Sequence, residues 1–404
     1  MSASLALAPP ATAPGREGRL RISVIVNMVA PYTKPLFECL ARRDDCELLV
    51  VSETAMERDR RWAPEIDLAF NHVLLDSWTT DLSRLAIGSG FRTRFDTYLY
   101  VPKRPLGALV DFAPDVVVAG GGGIWSSPAN IAALAARRRH GWGVVPWWGS
   151  FTRPRPTLPR RLAEPWVKAF MRAADAWLVY GSRQARDVVG LGADPERVVV
   201  APITALVPEA PAREGQLANR TTRYLFVGRL IERKGLDVLL EAFERLDGGE
   251  LRIAGDGPLR EVAEAAAARD PRIRLIGHVA GDALARAYRD ADVLVVPSLY
   301  EPWGLVVHEG LASGLPVIAT DQVGAADDLI GRGVNGYVVA AGAAEELREA
   351  MSAVARWTPA RCEEAARRSA ERLASFSVER GADGFVRGCS LALEHRTRIG
   401  RAAA

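Results

Sequence analysis

Short runs of β-branched and apolar residues alternate along the chain with longer Ala-, Leu- and Arg-rich segments of helical period. The first half predicts strands at 22–26, 47–51, 72–75, 116–119, 143–147, 177–180 and 197–201, with a helix over 35–43 following the first. These strands are continuously apolar, which fits a parallel sheet buried on both faces. A polar, Pro-bearing stretch without a sustained hydrophobic period then predicts an interdomain linker over 206–222. The rhythm restarts with strands at 224–227, 251–254, 273–276, 293–296 and 316–319, so a second doubly wound α/β domain is expected. Helices are predicted over 345–356, 359–374 and 378–396, the last packing back across the first domain. The expected plan is a disordered leader over 1–19, domains over 20–205 and 223–375, and a C-terminal helical segment over 376–404.

Composition narrows this picture. At 404 residues with 49% hydrophobic positions, the chain has apolar material for two cores. A formal charge of +3 from 52 basic and 49 acidic residues argues against a nucleic-acid partner. Four Cys with no C-x-x-C pair and five scattered His give no zinc-like spacing, and reduced thiols are expected. The first nineteen residues lack the basic start and apolar core of a secretory signal, so a cytoplasmic protein is expected. Residues 116–136 carry no charge and are long enough to cross a bilayer. Gly120 to Gly123 and Pro128 would open a helix there, which makes strand, loop and helix the better reading.

In open α/β sheets ligands bind beyond the carboxyl ends of the strands, and four such loops stand out in the second half. The first runs from Gly228 and Arg229 to Lys234 and Gly235, with two cations flanking a helix start near Lys234. Arg grips phosphate through its planar fork, Lys adds a compact charge, and free N–H groups complete an anion site. The second holds Glu301 and Glu309, eight positions apart. One continuous helix would aim them about 80° apart, but Pro302 suggests that the helix opens after Glu301. Trp303, Gly304 and Leu305 would then offer backbone donors. The third, Gly255-Asp256-Gly257-Pro258, reads as a tight turn in which Asp256 can cap the next helix. The fourth, Gly277 to Val279, suits backbone recognition of a nucleotide base. Two motifs are set aside: Asp290-Ala291-Asp292 precedes a strand, away from the carboxyl rim, and Gly331 to Gly336 leads into a strand-like segment where a dinucleotide site needs a helix.

Taken in order, Gly228-Arg229 with Lys234-Gly235, Gly255-Asp256-Gly257-Pro258, Gly277, Val295-Val296-Pro297-Ser298 and Glu301 to Glu309 resemble the C-terminal half of family 4 retaining glycosyltransferases. Gly324 and Asn335-Gly336 continue the likeness. The resemblance implies a GT-B fold: two Rossmann-like doubly wound domains facing across a cleft, the second holding a nucleotide-diphosphate sugar. It implies catalysis without a metal or cofactor and with retained anomeric configuration. On this likeness Arg229 and Lys234 neutralise the departing diphosphate, Glu301 contacts the transferred sugar and Glu309 holds the ribose hydroxyls. The amides of Gly304 and Leu305 bind phosphate, while Gly228, Gly255, Gly277, Val279 and Trp303 complete the donor-binding set.

The first half departs from familiar members of that family. Asn27 to Tyr32 replace a Gly-rich loop, and Trp147-Trp148-Gly149-Ser150 stand where a His is often found. Asn27, Pro31, Tyr32 and Gly121 are acceptor-side candidates by topology alone. The Trp-rich first domain offers rings that can stack on a sugar or another flat ligand. Residues 153–172 combine six basic residues with Glu164, Trp166 and Phe170, which suits contact with anionic lipid on the inner face of the plasma membrane; a solvated face with buried aromatics is the alternative. The expected activity is sugar transfer to a saccharide or lipid-linked acceptor hydroxyl in surface polysaccharide or glycolipid assembly. A small-molecule or natural-product acceptor stays open, as does an epimerase or phosphorylase on the same architecture.

Overall fold

The computed structural model describes residues 18–55, 67–81, 98–120, 127–150, 158–205 and 221–403. Most of the expected leader and linker, Gly121 and residues 153–157 therefore lie outside the described residues.

The first domain comprises β1 (Leu20–Val26), α1 (Lys34–Ala41), β2 (Cys46–Ser52), β3 (Asn71–Leu74), β4 (Ser77–Asp81), β5 (Tyr98–Pro102), α2 (Gly107–Phe112), β6 (Val116–Ala119), α3 (Pro128–His140), β7 (Gly143–Trp148), α4 (Leu158–Ala173), β8 (Trp177–Val179), α5 (Ser182–Gly190) and β9 (Val198–Val200). Seven of its strands form one parallel sheet, ordered β3-β2-β1-β6-β7-β8-β9. The second comprises β10 (Arg223–Val227), α6 (Leu236–Glu244), β11 (Glu250–Ala254), α7 (Arg260–Arg269), β12 (Ile273–Gly277), α8 (Gly281–Arg289), β13 (Val293–Val296), α9 (Leu305–Ala312), β14 (Val317–Thr320), α10 (Ala326–Leu329) and β15 (Gly336–Val339). Its parallel sheet is ordered β12-β11-β10-β13-β14-β15. The chain then runs through α11 (Ala344–Ala355), α12 (Pro359–Leu373) and α13 (Val378–Ala403).

The central strands are the most apolar, because both their faces are covered: every residue of β6, β13 and β14 is buried. In each sheet the order reverses beside its first strand, between β1 and β6 and between β10 and β13, which opens a crevice at the carboxyl end. The helix α13 returns across the first domain and packs on α1, β7 and β9, as expected. Its approach is close enough that a Cβ on Gly384 would lie 2.5 Å from the Val200 carbonyl oxygen.

One pair of strands was not predicted by the pattern, and one expectation needs correction. Strands β4 and β5 form an antiparallel ribbon outside both sheets, where the pattern shows no buried run because Trp78, Thr79 and Thr80 are exposed. Four Trp residues of the first domain do not offer a stacking surface: Trp142, Trp147, Trp148 and Trp177 are only 1–4% exposed. Trp147 packs edge-on against Phe37, Tyr180 and Phe385, so these rings fill the core between sheet and helices.

The first domain also buries a carboxyl. Glu53, just past β2, accepts a hydrogen bond from the Ser127 hydroxyl at 2.7 Å, and Ser127 in turn caps α3. Burial pushes Glu53 up to about 7, against the opposing effect of that bond. A carboxyl raised in the folded state contributes stability that is complete below its unfolded value and lost as pH rises through the folded one. Unfolding free energy should therefore fall by on the order of 3 kcal/mol from this group between about pH 4 and pH 8. Urea titrations across that range should show Glu53→Gln with a flatter pH profile than the wild type; superimposable slopes would contradict the assignment.

Candidate functional site

The site is assembled from loops at the carboxyl ends of β10 to β13. Three are stitched together by backbone bonds: Gly228 N–H to Ala254 O at 3.0 Å, Gly255 N–H to Gly277 O at 2.7 Å and Leu230 N–H to Asp256 O at 2.9 Å. They lie flush because a Cβ on Gly255 would fall 1.9 Å from the Gly228 carbonyl oxygen. The Lys234 side chain runs over Gly228, its Cε 3.7 Å from where a Cβ there would sit. Around this floor the Glu232–Lys234 segment forms a single 3₁₀ turn ending at Gly235, and α6 begins at Leu236, two residues later than Lys234. The turn directs Lys234 toward the loop after β13, where its Nζ donates to the Glu301 carboxylate. The backbone of the two loops is also joined, with Leu299 N–H donating to Arg233 O at 2.8 Å.

Three cations act on Glu301. Burial would raise its carboxyl, but Lys234, Arg233 and Arg229 together hold it below the ordinary carboxylate range. Burial lowers Lys234, as do Arg233 and Arg229, against the opposing pull of Glu301. The arrangement keeps one carboxylate ionised beneath a surplus of positive charge, which is an environment for an anion carrying more than one charge.

Glu301 itself lies before the helix. Its N–H donates to Gln322 O at 2.8 Å, while α9 begins only at Leu305, with Gly304 at its N-cap in a left-handed conformation. Glu309 falls inside α9, as the spacing suggested, and its carboxylate accepts a hydrogen bond from the Tyr288 hydroxyl. Burial raises Glu309, opposed by Tyr288 and by Lys234. Trp303 brings only its backbone to the site, since its side chain packs between Tyr180 and Phe376. Asp256 does not cap α7: its carboxylate accepts from Gly257 N–H, and α7 starts at Arg260 with no side-chain cap. Gly277 ends β12 with φ +73°, and Val279 packs against the core beside it, while His278 is exposed.

On the first-domain side, the Asn27 carbonyl accepts from Glu53 N–H at 3.0 Å and Thr54 N–H at 2.8 Å. Pro31 and Tyr32 follow, half-buried; burial raises the Tyr180 phenol, and Tyr32 lies near enough to add to that rise. Tyr180 in turn meets Trp303 edge-on at 6.2 Å. The candidate Tyr32 is thus linked through one ring to the loop that carries Glu301. Arg233 and Tyr288 were missed by the sequence reading. Arg233 was signalled by its place beside Lys234; Tyr288 had no local signal, because its partner Glu309 is 21 residues away.

The two set-aside motifs have structural roles. Asp292 accepts from the backbone and guanidinium of Arg223, and the buried Asn335 ties Gly331 N–H, Leu329 O and Ser369 together.

The sequence profile of the family described as Glycosyl transferases group 1 matches residues 221–356. An uncharacterized glycosyltransferase of Methanocaldococcus jannaschii is 38% identical over 121 residues, 28% of this chain and 31% of the relative. A D-inositol 3-phosphate glycosyltransferase of Geodermatophilus obscurus is 32% identical over 267 residues, 60% of this chain and 57% of the relative. The chain thus spans about a third to just over half the length of these relatives. Among solved structures, the apo form of the lipopolysaccharide outer core galactosyltransferase WaaB aligns with a TM-score of 0.65 at 17% identity, covering 91% of this chain and 99% of that one. Anabaena HepE in complex with UDP aligns with a TM-score of 0.66 at 16% identity, covering 92% and 100%. Residues 221–356 are a Glycosyl transferases group 1 domain, and the chain that carries them has the GT-B fold of the glycosyltransferases.

Proposed function

We propose that the protein transfers a sugar from a nucleotide-diphosphate donor to an acceptor hydroxyl with retention of anomeric configuration. The observation that carries this reading is the convergence of Arg229, Arg233 and Lys234 on Glu301, beside the first amides of α9. When the bond between the anomeric carbon and the phosphate oxygen breaks, positive charge develops on the sugar and negative charge on the diphosphate. Fixed cations and amides at the latter lower the barrier. In this reading Glu301 contacts the transferred sugar and Glu309, steadied by Tyr288, receives the ribose hydroxyls. The acceptor oxygen attacks from the face the phosphate leaves, and its proton passes to the departing phosphate oxygen. That route calls on neither an enzymic base nor a metal or cofactor. An epimerase would need an acid–base pair converging on the donor sugar, whereas the groups around Glu301 are cations.

A panel of nucleotide sugars, screened for binding and for slow donor hydrolysis, tests this directly. One or a few donors should bind and be hydrolysed, and the reading fails if none does.

The acceptor is a saccharide or lipid-linked hydroxyl in surface polysaccharide or glycolipid assembly. The support is the surface of α4, where Leu162 is 74% and Trp166 47% exposed one helical turn apart, with Arg172 also exposed. Phe170, paired with Trp166 in the sequence reading, is instead in the core. Such a face suits the inner surface of an anionic membrane. Among the described residues no helix is long and apolar enough to cross one. Flotation with anionic liposomes should carry the protein upward in a salt-sensitive way, and Trp166→Ala should reduce it; flotation indifferent to both salt and the substitution would remove the membrane from the proposal.

A further inference from the structure

The start of α5, in the first domain, is bonded to the second domain at α10, at the end of β14 and at the loop that carries Glu301. Ser182 N–H donates to the Asp328 carboxylate at 2.9 Å, Arg186 pairs with Asp327, and Arg183 donates to the Asp321 carbonyl. Gln184 reaches furthest: its Nε2 donates to the Pro302 carbonyl at 2.7 Å. Of these four contacts, only the last falls between Glu301 and Gly304.

That bond completes a set. The Glu301 carbonyl accepts from Gly324 N–H at 3.0 Å and the Trp303 carbonyl from Ala325 N–H at 2.8 Å, both within the second domain. The carbonyl between them is held by the other domain. Because the peptide is planar and trans, fixing the Pro302 carbonyl also fixes the direction of the Trp303 N–H on its opposite side. The next amides, of Gly304 and Leu305, open α9.

Stability alone does not account for Gln184. It is 0% exposed, and its Oε1 is buried without a hydrogen-bond partner among the described residues. A buried amide with an unmet acceptor is costly, and an apolar side chain of the same size would avoid that cost. The surroundings nevertheless make room for it: a Cβ on Gly324 would lie 2.6 Å from Gln184 Nε2 and 2.1 Å from the Pro302 oxygen.

We infer that Gln184 is a positioning residue of the donor site: the first domain sets the Pro302–Trp303 peptide plane, and with it the amides that receive the donor's diphosphate. This rests on the glycosyl-transfer reading above. Donor affinity thereby depends on the two domains being docked as they are here.

The test compares affinities for the nucleoside diphosphate that the wild type binds best among UDP, GDP and ADP, and for its parent nucleoside. Gln184→Met should weaken diphosphate binding about tenfold and leave nucleoside binding within about twofold, since only the phosphate end meets this loop. Arg186→Ala, which loses an exposed ion pair between the same elements, should change neither. Equal diphosphate affinity in Gln184→Met and wild type overturns the inference. So does a parallel loss for both ligands, or an equal effect of Arg186→Ala, because each would mean general loosening. If Gln184→Met does not fold, Gln184→Glu, similar in size but without the amide donor, takes its place with the same outcomes. A wild type that binds none of the three diphosphates brings down the glycosyl-transfer reading and this inference with it; a wild type that binds alongside an unaffected variant brings down this inference alone.

Discussion

Lys234→Met and Glu301→Gln are each expected to abolish sugar transfer and to destabilise the second domain, and the double variant to regain stability without regaining activity. The two side chains are only 15% and 13% exposed, so their hydrogen-bonded pair is largely out of water. Removing one partner from such a pair leaves an uncompensated charge, at a cost of roughly 3–5 kcal/mol. The two losses have different neighbours. Without Lys234, Glu301 still has Arg233 and Arg229 acting on it. Without the Glu301 carboxylate, Lys234 loses the group that opposes those same two guanidinium groups, so Glu301→Gln should be the more damaging for the fold. The double variant removes both charges and most of the penalty, as apolar or neutral replacement of a buried pair commonly does. Catalysis follows another logic. The proposed transition state needs the cation at the leaving diphosphate, and loss of one preorganised charge of that kind costs about 100- to 1000-fold in rate. Thermal melting and donor turnover on all four proteins separate the two effects. A double variant that transfers sugar at near wild-type rate would show that the pair serves the fold and not the reaction.

The parts of this site that could be read from the sequence are those carried by local pattern. The apolar runs of β13 and β14 announced buried strands, and loops following such strands are where ligands of this architecture sit. The spacing of Glu301 and Glu309 around Pro302 placed one carboxylate before a helix and the other within it, although α9 starts three residues after Pro302 because Gly304 takes the N-cap. What escaped the reading was produced by contacts distant in sequence. Asp328 caps a helix 146 residues earlier, Gln184 holds a carbonyl 118 residues later, and nothing in their local context marks either. The Trp residues around 147 misled for the complementary reason: an aromatic ring suits a core and a sugar-binding face equally well, and only the packing of Phe37 and Phe385 against Trp147 distinguishes the two.

Gly235→Ala and Gly333→Ala should differ sharply, although both residues have φ +69°. An L side chain in the left-handed region costs about 1–2 kcal/mol from local sterics alone, and that contribution is common to both. At Gly333 nothing lies within 4 Å of an added Cβ, so the local cost is the whole cost. At Gly235 the Cβ would fall 2.0 Å from the Pro297 carbonyl oxygen and 2.9 Å from its carbon, which are backbone atoms at the end of β13 that cannot rotate aside. One loop must therefore move against the other, and a total above about 4 kcal/mol is expected. The displacement also has a direction. Gly235 joins Lys234 to α6, whose residue Leu239 donates its N–H to the Gly235 carbonyl, so the strain is relieved most readily by pulling the 3₁₀ turn away from the loop after β13. That movement takes Lys234 off Glu301. Gly235→Ala should accordingly lose nucleoside diphosphate affinity as well as thermal stability, while Gly333→Ala loses a little stability and no affinity. Melting temperatures and diphosphate titrations on the two variants decide it: equal stability losses, or an intact diphosphate affinity in Gly235→Ala, would mean that the contact with Pro297 does not hold Lys234 in place.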